Sequence, residues 1–181
     1  QFNQIQANPQ GYLLTAPKNN LYDYAYLVFA LGRTADTDLT TALQSMPRLV
    51  EGVPPEVQKY IYRTVAYIGG TTVMKNNFNR EVLTNFDASY GMPFTPEESE
   101  VYARQAIRFG SWESVIRAID SMSVTQKQED RWQYWLARAS EQRSDSQSKR
   151  TAQDIYKRLA SSGDDYHNLL AKDHLGQRYG G

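Results

Sequence analysis

Residues 131–142 read RWQYWLARASEQ, which places two tryptophans and a tyrosine within four positions of an otherwise polar run. On a helix, at about 100° per residue, Trp132, Trp135, Leu136 and Ala139 fall within an arc of about 100°. An arc of that width is typical of the stripe that a helix buries against its neighbours. The pattern therefore predicts that both tryptophans pack between helices and that a Trp132→Ala chain unfolds.

A different face of the same helix carries Arg131, Tyr134 and Arg138. A tyrosine ring can stack on a sugar while its hydroxyl makes a hydrogen bond. These three residues are therefore the candidate ligand-binding residues, available to a glycan or to a protein partner. On this interpretation, Tyr134→Ala leaves the chain folded.

Capping residues, prolines and glycines divide most of the chain into helices. The stretch TPEE at residues 95–98 combines a capping box with proline at the first helical position, and Gly110 ends the helix that follows. A helix is also predicted over residues 80–89. The apolar run at residues 21–31 predicts a buried helix that ends at Gly32.

A second capping box is expected in the stretch TQKQ at residues 125–128, where it would open a helix that extends to about Glu141. At least eight such helices of roughly 10–17 residues follow one another, and no strand pair is recognisable. The predicted fold class is therefore all-α, an α–α superhelix, which is a solenoid of irregular antiparallel helix hairpins.

The superhelical domain is expected to occupy residues 21–181. Residues 1–20 are rich in Gln and Asn and contain Pro9, Gly11 and Pro17. Because they lack a 3.6-residue period, they are expected to form a poorly ordered or extended lead-in. Since the chain begins with Gln1 rather than Met, we expect a processed product or an excised fragment.

Composition excludes several function classes. The 20 Lys and Arg residues balance the 20 Asp and Glu residues, so no global field attracts nucleic acid, and we predict no nucleic-acid partner. The chain has no cysteine, which removes disulfides, thiolate nucleophiles and cysteine-based zinc sites. The longest apolar run, residues 24–31, is too short for a membrane span, which takes about 20 residues.

The two histidines, His167 and His174, are close to Asp164, Asp165 and Asp173, so a metal or acid–base site is conceivable. The same residues also suit a helix whose acidic N-terminus and basic C-terminus complement the macrodipole. The spacing fits no metal motif, and no glycine-rich phosphate loop is present. We therefore predict no metal site, no cofactor and no catalytic residue.

Residues 104–176 contain an ordered series of landmarks along five helices. They are Gly110-Ser111-Trp112, Met122, Trp132-Gln133-Tyr134-Trp135, Leu159-Ala160 and Leu175-Gly176. This order resembles the superhelical domain of soluble lytic transglycosylases. Those periplasmic enzymes of Gram-negative bacteria cleave the glycan strands of peptidoglycan during cell-wall turnover.

The resemblance implies a curved helical scaffold that a separate lysozyme-like catalytic domain follows. In that family a glutamate within a Glu-Ser motif acts as acid and base, and the lyase reaction leaves a 1,6-anhydromuramoyl end. Peptidoglycan would be bound through the catalytic domain, which this chain does not contain, and protein partners are also possible. The implied location is the periplasm.

Two Glu-Ser pairs occur in the chain, Glu98-Ser99 and Glu113-Ser114. Glu98 occupies the third position of a capping box, and Glu113 lies in the first turn of a helix within the superhelical match. Neither pair is followed by the Gly-Leu-Met-Gln-like or Ala-Tyr-Asn-like segments of the family. We therefore expect this chain alone to be inactive, although its parent protein would be an enzyme.

The alternative is a tetratricopeptide-like adaptor that binds a protein or peptide partner in a concave groove. Ala152 and Tyr156, with Trp132 upstream, resemble the packing residues of such repeats, although no regular 34-residue period is present. A lysozyme-like segment encoded beyond Gly181 would favour the transglycosylase, and a stop codon at that point would favour the adaptor.

Overall fold

The computed structural model describes residues 2–71 and 78–176. Within these ranges the chain forms twelve α-helices and no strand, which confirms the predicted all-α class. No helix in these ranges is long and apolar enough to cross a membrane. The chain divides into two compact units, Gln1–Pro93 and Phe94–Gly181, each with its own helices.

The first unit contains six helices in the described part of the chain. They are α1 (Phe2–Ala7), α2 (Pro9–Leu14), α3 (Leu21–Thr37), α4 (Leu39–Val50), α5 (Pro55–Thr71) and α6 (Arg80–Ser89). Each helix packs against the next one along the chain from α1 to α6, and α3 also packs directly against α5. This arrangement of neighbouring and next-but-one contacts is that of stacked helix pairs.

The beginning of the chain corrects the expected lead-in, because Phe2–Ala7 and Pro9–Leu14 are helical. Pro9 begins α2, and the Asn8 side chain caps it by accepting a hydrogen bond from the backbone N–H of Gly11 at 3.0 Å. Ile5 and Leu13 are buried in the core of the first unit. Burial and capping therefore stabilise two helices that are too short to be stable alone.

Helix α3 does not end at Gly32 as predicted, but continues to Thr37. A Cβ atom at position 32 would lie 3.3 Å from the Cδ1 atom of Ile68 on α5. Glycine at this position therefore permits close packing of α3 on α5 rather than terminating the helix. The helix ends where the Asp38 side chain caps the following helix by accepting a hydrogen bond from the backbone N–H of Thr41 at 3.1 Å.

The second unit also contains six helices in the described range. They are α7 (Pro96–Arg108), α8 (Trp112–Asp120), α9 (Val124–Lys127), α10 (Asp130–Glu141), α11 (Ser146–Ser161) and α12 (Tyr166–His174). Helix α8 packs on α7 and on α10, and α10 packs on both α11 and α12. Helix α10 therefore packs on helices that lie both before and after it in the chain.

Two capping predictions in this unit have different outcomes. The capping box at the start of α7 is confirmed, since Thr95 Oγ1 accepts from the Glu98 N–H and Glu98 Oε1 accepts from the Thr95 N–H. The box predicted at residues 125–128 is wrong. Ser123 caps α9 instead, by accepting from the Gln126 N–H at 3.1 Å, and α10 starts separately after residue 129.

Candidate functional site

The predicted ligand-binding residues all lie on α10, but their environments differ. Tyr134 is only 4% exposed and belongs to the core between α10, α11 and α12. Its ring centroid lies 6.0 Å from that of Tyr156 and 5.8 Å from that of His167. The expectation that Tyr134 is available at the surface is therefore wrong, because α11 and α12 cover the face that the isolated helix would expose.

Arg138 lies beside Tyr134 and is partly exposed. Its Nη1 atom donates a hydrogen bond of 3.3 Å to the Tyr134 hydroxyl. The guanidinium lies 5.6 Å from the ring centroids of both Trp112 and Trp135, which are also partly exposed. Burial disfavours the cation, but Tyr134 and Glu141 favour it, and the net effect raises the pKa of Arg138. The guanidinium therefore remains charged among three aromatic rings.

Arg131 belongs to a separate charge network. Its guanidinium lies 4.6 Å from the Trp132 ring centroid and forms ion pairs with Glu100 at 3.3 Å and Glu129 at 3.5 Å. Glu100 also pairs with Arg104 at 2.8 Å. The structure thus brings Tyr134 and Arg138 together, whereas the Arg131 guanidinium pairs with the carboxylates of Glu100 and Glu129. The ligand-binding role of all three residues stays a prediction.

Sequence reasoning missed a contact between Glu141 at the end of α10 and His174 at the end of α12. Glu141 Oε2 lies 2.7 Å from His174 Nε2. The His174 ring stacks on Tyr156 of α11, with ring centroids 4.2 Å apart. Tyr156 is fully buried, and this burial together with the nearby Glu141 carboxylate raises its pKa well above the ordinary value. No local pattern predicts a contact across 33 residues.

We refer to Tyr134, Arg138, Glu141, Tyr156 and His174 as the α10–α12 cluster. Glu141 contacts two side chains of the cluster, since its Oε2 lies 2.7 Å from His174 Nε2 and its Oε1 lies 3.5 Å from Arg138 Nε. The carboxylate of Glu141 therefore lies next to the Arg138 guanidinium, and the raised pKa of Tyr156 keeps its hydroxyl protonated. This chemistry suits the joining of three helices rather than proton transfer.

His167 does not join His174 in a metal site. Burial lowers the pKa of His167, an effect that Asp130 opposes and Arg131 reinforces. The two rings have different neighbours, since His167 contacts Tyr134 and Tyr166. Among residues 2–71 and 78–176, no group of three or more metal-ligating side chains is assembled.

The carboxylates of both Glu-Ser pairs are engaged in local structure. Glu98 closes the capping box of α7. Glu113 accepts hydrogen bonds of 2.9 and 2.8 Å from Nε and Nη2 of Arg143, and this pairing lowers the pKa of Glu113. A general acid requires a raised pKa, so Glu113 has the opposite electrostatic environment.

The first unit contains an open groove of about 500 Å³ between α3 and α5. Its lining is mainly apolar and comprises Tyr24, Ala25, Val28, Phe29, Glu56, Val57, Tyr60 and Met92. Two of the tyrosines that are concentrated in the first half of the chain thus line a surface depression. The sequence provides the aromatic residues, but only the packing of α3 on α5 places them around one groove.

Two solved structures share this arrangement of helices over 97% of the chain. One is an inactive mutant of the lytic transglycosylase Slt from Pseudomonas aeruginosa, with a TM-score of 0.66 and 19% sequence identity. The other is the 70-kDa soluble lytic transglycosylase in complex with bulgecin A, with a TM-score of 0.58 and 19% identity. The chain has the fold of part of a soluble lytic transglycosylase.

The predicted resemblance to soluble lytic transglycosylases is thereby confirmed at the level of the fold, together with the α–α superhelical class. The similarity includes the first unit, where no sequence landmark indicated it. The chain spans 28% of the length of each of these lytic transglycosylases. No protein-family model matches the sequence. No curated protein matches it.

Proposed function

We propose that this chain is a scaffold region of a periplasmic lytic transglycosylase that cleaves peptidoglycan glycan strands during cell-wall turnover. On this proposal, its own residues carry no active site, and a lysozyme-like domain elsewhere in the protein performs the reaction. The observation that carries the proposal is the match of fold to lytic transglycosylases across 97% of the chain.

The engagement of the two Glu-Ser carboxylates supports the inactive role. The lyase reaction needs one carboxylic acid that first protonates the glycosidic oxygen and then accepts a proton as a base. Glu98 Oε1 accepts a hydrogen bond from its own helix N-terminus at 2.7 Å. Glu113 has a lowered pKa because Arg143 binds its carboxylate, so neither glutamate is suited to that double role.

The packing of α10 against its neighbouring helices supports the scaffold role. Helix α10 is packed by α8, α11 and α12, and the α10–α12 cluster joins its C-terminal end to both following helices. Many buried contacts on one element make it resistant to local opening. A resistant helical stack of this kind would hold a catalytic domain in a fixed orientation on murein.

Within the proposed function, Arg131 and Arg138 would contact the glycan directly. Both guanidinium groups are partly exposed and lie over aromatic rings. Tyr134 would act through its hydrogen bond to Arg138 rather than by touching the sugar. Peptidoglycan would therefore be bound weakly by the scaffold and more strongly by the catalytic domain.

The test compares two forms of the protein on purified murein. The 181-residue chain should release no 1,6-anhydromuramoyl products, whereas the same chain extended beyond Gly181 should release them. In the extended protein, Glu113→Gln should retain activity. Activity of the chain alone, or loss of activity with Glu113→Gln in a folded protein, contradicts the proposal. An extended protein without muralytic activity would favour the peptide-binding adaptor.

A further inference from the structure

Helix α12 carries one histidine in its first turn and one at its last residue. His167 is the second residue of the helix, and His174 ends it. Histidine is the side chain whose ordinary titration changes its charge between pH 5 and 8. A helix dipole disfavours a positive charge at the N-terminus and favours one at the C-terminus. Acidification therefore meets opposite electrostatic conditions at the two ends of α12.

The contact of His174 is compatible with either charge on its ring. Its Nε2 atom lies 2.7 Å from Glu141 Oε2 on α10, and its ring stacks on Tyr156 of α11. A neutral imidazole with its proton on Nε2 donates to this carboxylate, and an imidazolium does so as well. Two cations lie near the carboxylate: Arg138 Nε is 3.5 Å from its Oε1, and Lys149 Nζ donates to the backbone carbonyl of the same residue at 3.1 Å.

Two further charged residues precede His174 on α12 itself. Lys172 Nζ pairs with Asp164 at 2.8 Å, just before the start of the helix, and Asp173 is exposed. Glu141 therefore serves as the partner of the His174 ring on both sides of its titration.

The ring of His167 has a different environment. It is half-buried, and its centroid lies 5.8 Å from that of Tyr134 on α10 and 5.1 Å from that of Tyr166. Its ring nitrogens have no hydrogen-bond partner among the described residues. Asp165, which immediately precedes the helix, is exposed. A proton added to His167 therefore places a charge near the helix N-terminus without a bound carboxylate.

The charged groups that act on His167 come mainly from α10. Asp130 favours a cation at this ring, whereas Arg131 and burial disfavour it, and the net effect lowers the pKa of His167. On α11, which also packs on α12, the guanidinium of Arg158 donates a hydrogen bond to Gln133 of α10. Burial therefore dominates at this end of the helix.

The residue after His167 is the polar anchor of the same end. Asn168 is only 2% exposed, and its Nδ2 atom lies 3.1 Å from Asp130 Oδ2. The same atom lies 2.9 Å from the carbonyl oxygen of Leu159 and 3.1 Å from Ser162 Oγ. These contacts join the start of α12 to α10 and to the end of α11. An imidazolium at His167 competes with Asn168 for the Asp130 carboxylate.

We propose that α12 is a pH-responsive element, in which acid loosens the N-terminal end while the C-terminal end stays bound through His174. Burial and the helix dipole oppose the charge on His167, and its attraction for Asp130 weakens the Asn168 anchor. Because the pKa of His167 is lowered, the loosening begins as pH falls below the ordinary histidine value of about 6.5. This response is independent of the proposed murein activity, because it involves only residues of the second unit.

The experiment measures amide hydrogen exchange of the full chain by NMR at about pH 7.5 and about pH 5, a range in which histidine changes its charge. Each rate is corrected for the pH dependence of exchange in an unstructured peptide. The Leu169 N–H donates to the Asp165 carbonyl in the first turn, and the Leu175 N–H donates to the Ala171 carbonyl in the last, each at 3.0 Å.

Protection of the Leu169 amide should fall about two- to fivefold on acidification, which is the range of one charge at the unfavourable end of a helix. Protection of the Leu175 amide should not fall. This comparison uses the original chain, so it does not depend on the folding of any variant.

His167→Gln removes the titrating group and should abolish the fall at Leu169. His174→Gln is the matched control, because it removes the other histidine of the same helix. It should lower the protection of Leu175 at both pH values, because the contact with Glu141 is weakened, and it should leave the fall at Leu169 in place.

Three results overturn the proposal. They are an equal fall at Leu169 and Leu175, unchanged or increased protection of Leu169 on acidification, and a fall at Leu169 that persists in the folded His167→Gln chain. The proposed murein activity can fail or succeed in its own assay without affecting these results.

Discussion

The guanidinium of Arg143 holds the carboxylate of Glu113 with two hydrogen bonds of 2.8 and 2.9 Å. These residues are 30 positions apart, so the pair joins the first turn of α8 to the segment that follows α10. A planar, two-point contact of this kind is the favoured geometry between arginine and a carboxylate. It keeps Glu113 ionised, and it gives this Glu-Ser pair a structural role.

Replacing Glu113 with Gln should lower the free energy of unfolding by at most about 1 kcal/mol at pH 7, because both partners are substantially exposed. The lowered pKa of Glu113 means that its contribution is present above the unfolded-state pKa of about 4.3 and is lost as pH falls through the folded-state value. Urea unfolding of the original and the Glu113→Gln chains at pH 7 and near pH 3 measures the difference between their free energies of unfolding. A difference that grows on acidification contradicts the pairing.

Tyr134→Ala should destabilise the second unit by about 3 kcal/mol, because it removes a buried aromatic ring from between α10, α11 and α12. Tyr134→Phe should cost only about 1 kcal/mol, since it keeps the ring and loses the hydrogen bond to Arg138. Thermal and urea unfolding measure both effects. Tyr22→Ala serves as the control, because that ring is 79% exposed and its loss should change stability by no more than about 0.5 kcal/mol.

The contact between Glu141 and His174 should stabilise α12 locally. Glu141→Gln and His174→Ala should each accelerate hydrogen exchange in α12, while exchange in α7 stays unchanged. Because both substitutions break the same contact, their effects should not be additive in a double-mutant cycle. Full additivity would mean that the two side chains act independently.

His167 should titrate below its ordinary pKa of about 6.5, because burial disfavours its charged form. Asp130 and Arg131 act on it in opposite directions, and Tyr134 and Tyr166 contribute neutral rings. The stability that neutral His167 confers is therefore present above pH 6.5 and declines as pH falls toward the folded-state pKa. An NMR titration of the His167 ring tests this, and a midpoint above 6.5 rejects it.

The proposed glycan contacts of Arg131 and Arg138 can be separated from general charge effects. Arg131→Gln and Arg138→Gln should each weaken the binding of soluble murein glycan strands about two- to fivefold. Arg104→Gln is the control, because Arg104 lies on the same unit with its side chain 64% exposed and is not a predicted contact. Equal losses in all three variants would indicate non-specific attraction. Isothermal titration calorimetry measures the affinities.

Local signals in the sequence account for much of the helical structure. The pattern of residues 80–89 predicts a helix and these residues form α6, and the capping box at Thr95 begins α7 as expected. Such signals act within a few residues, so their outcome depends little on the rest of the fold. The helix pattern that they impose is also what allowed the fold class to be predicted.

The errors arose where distant contacts outweigh local signals. Gly32 carries the residue type of a helix terminus, but the approach of Ile68 explains its presence within α3. The helical wheel of α10 assigned Tyr134 to the surface because the wheel contains no information about α11 and α12. The contact of Glu141 with His174 likewise depends on the path of the chain through α11.

Gly32 lies three residues along α3 from Phe29, which lines the groove between α3 and α5. Gly32 sets the spacing of α3 and α5 where they approach, so an added methyl group would push Ile68 away by a few tenths of an ångström. Where α5 moves together with the Ile68 side chain, the distance between α3 and α5 changes, and the width of the groove between them changes with it. Position 32 therefore behaves as a spacer, and substitutions at it should alter the width of the groove before they disrupt the fold.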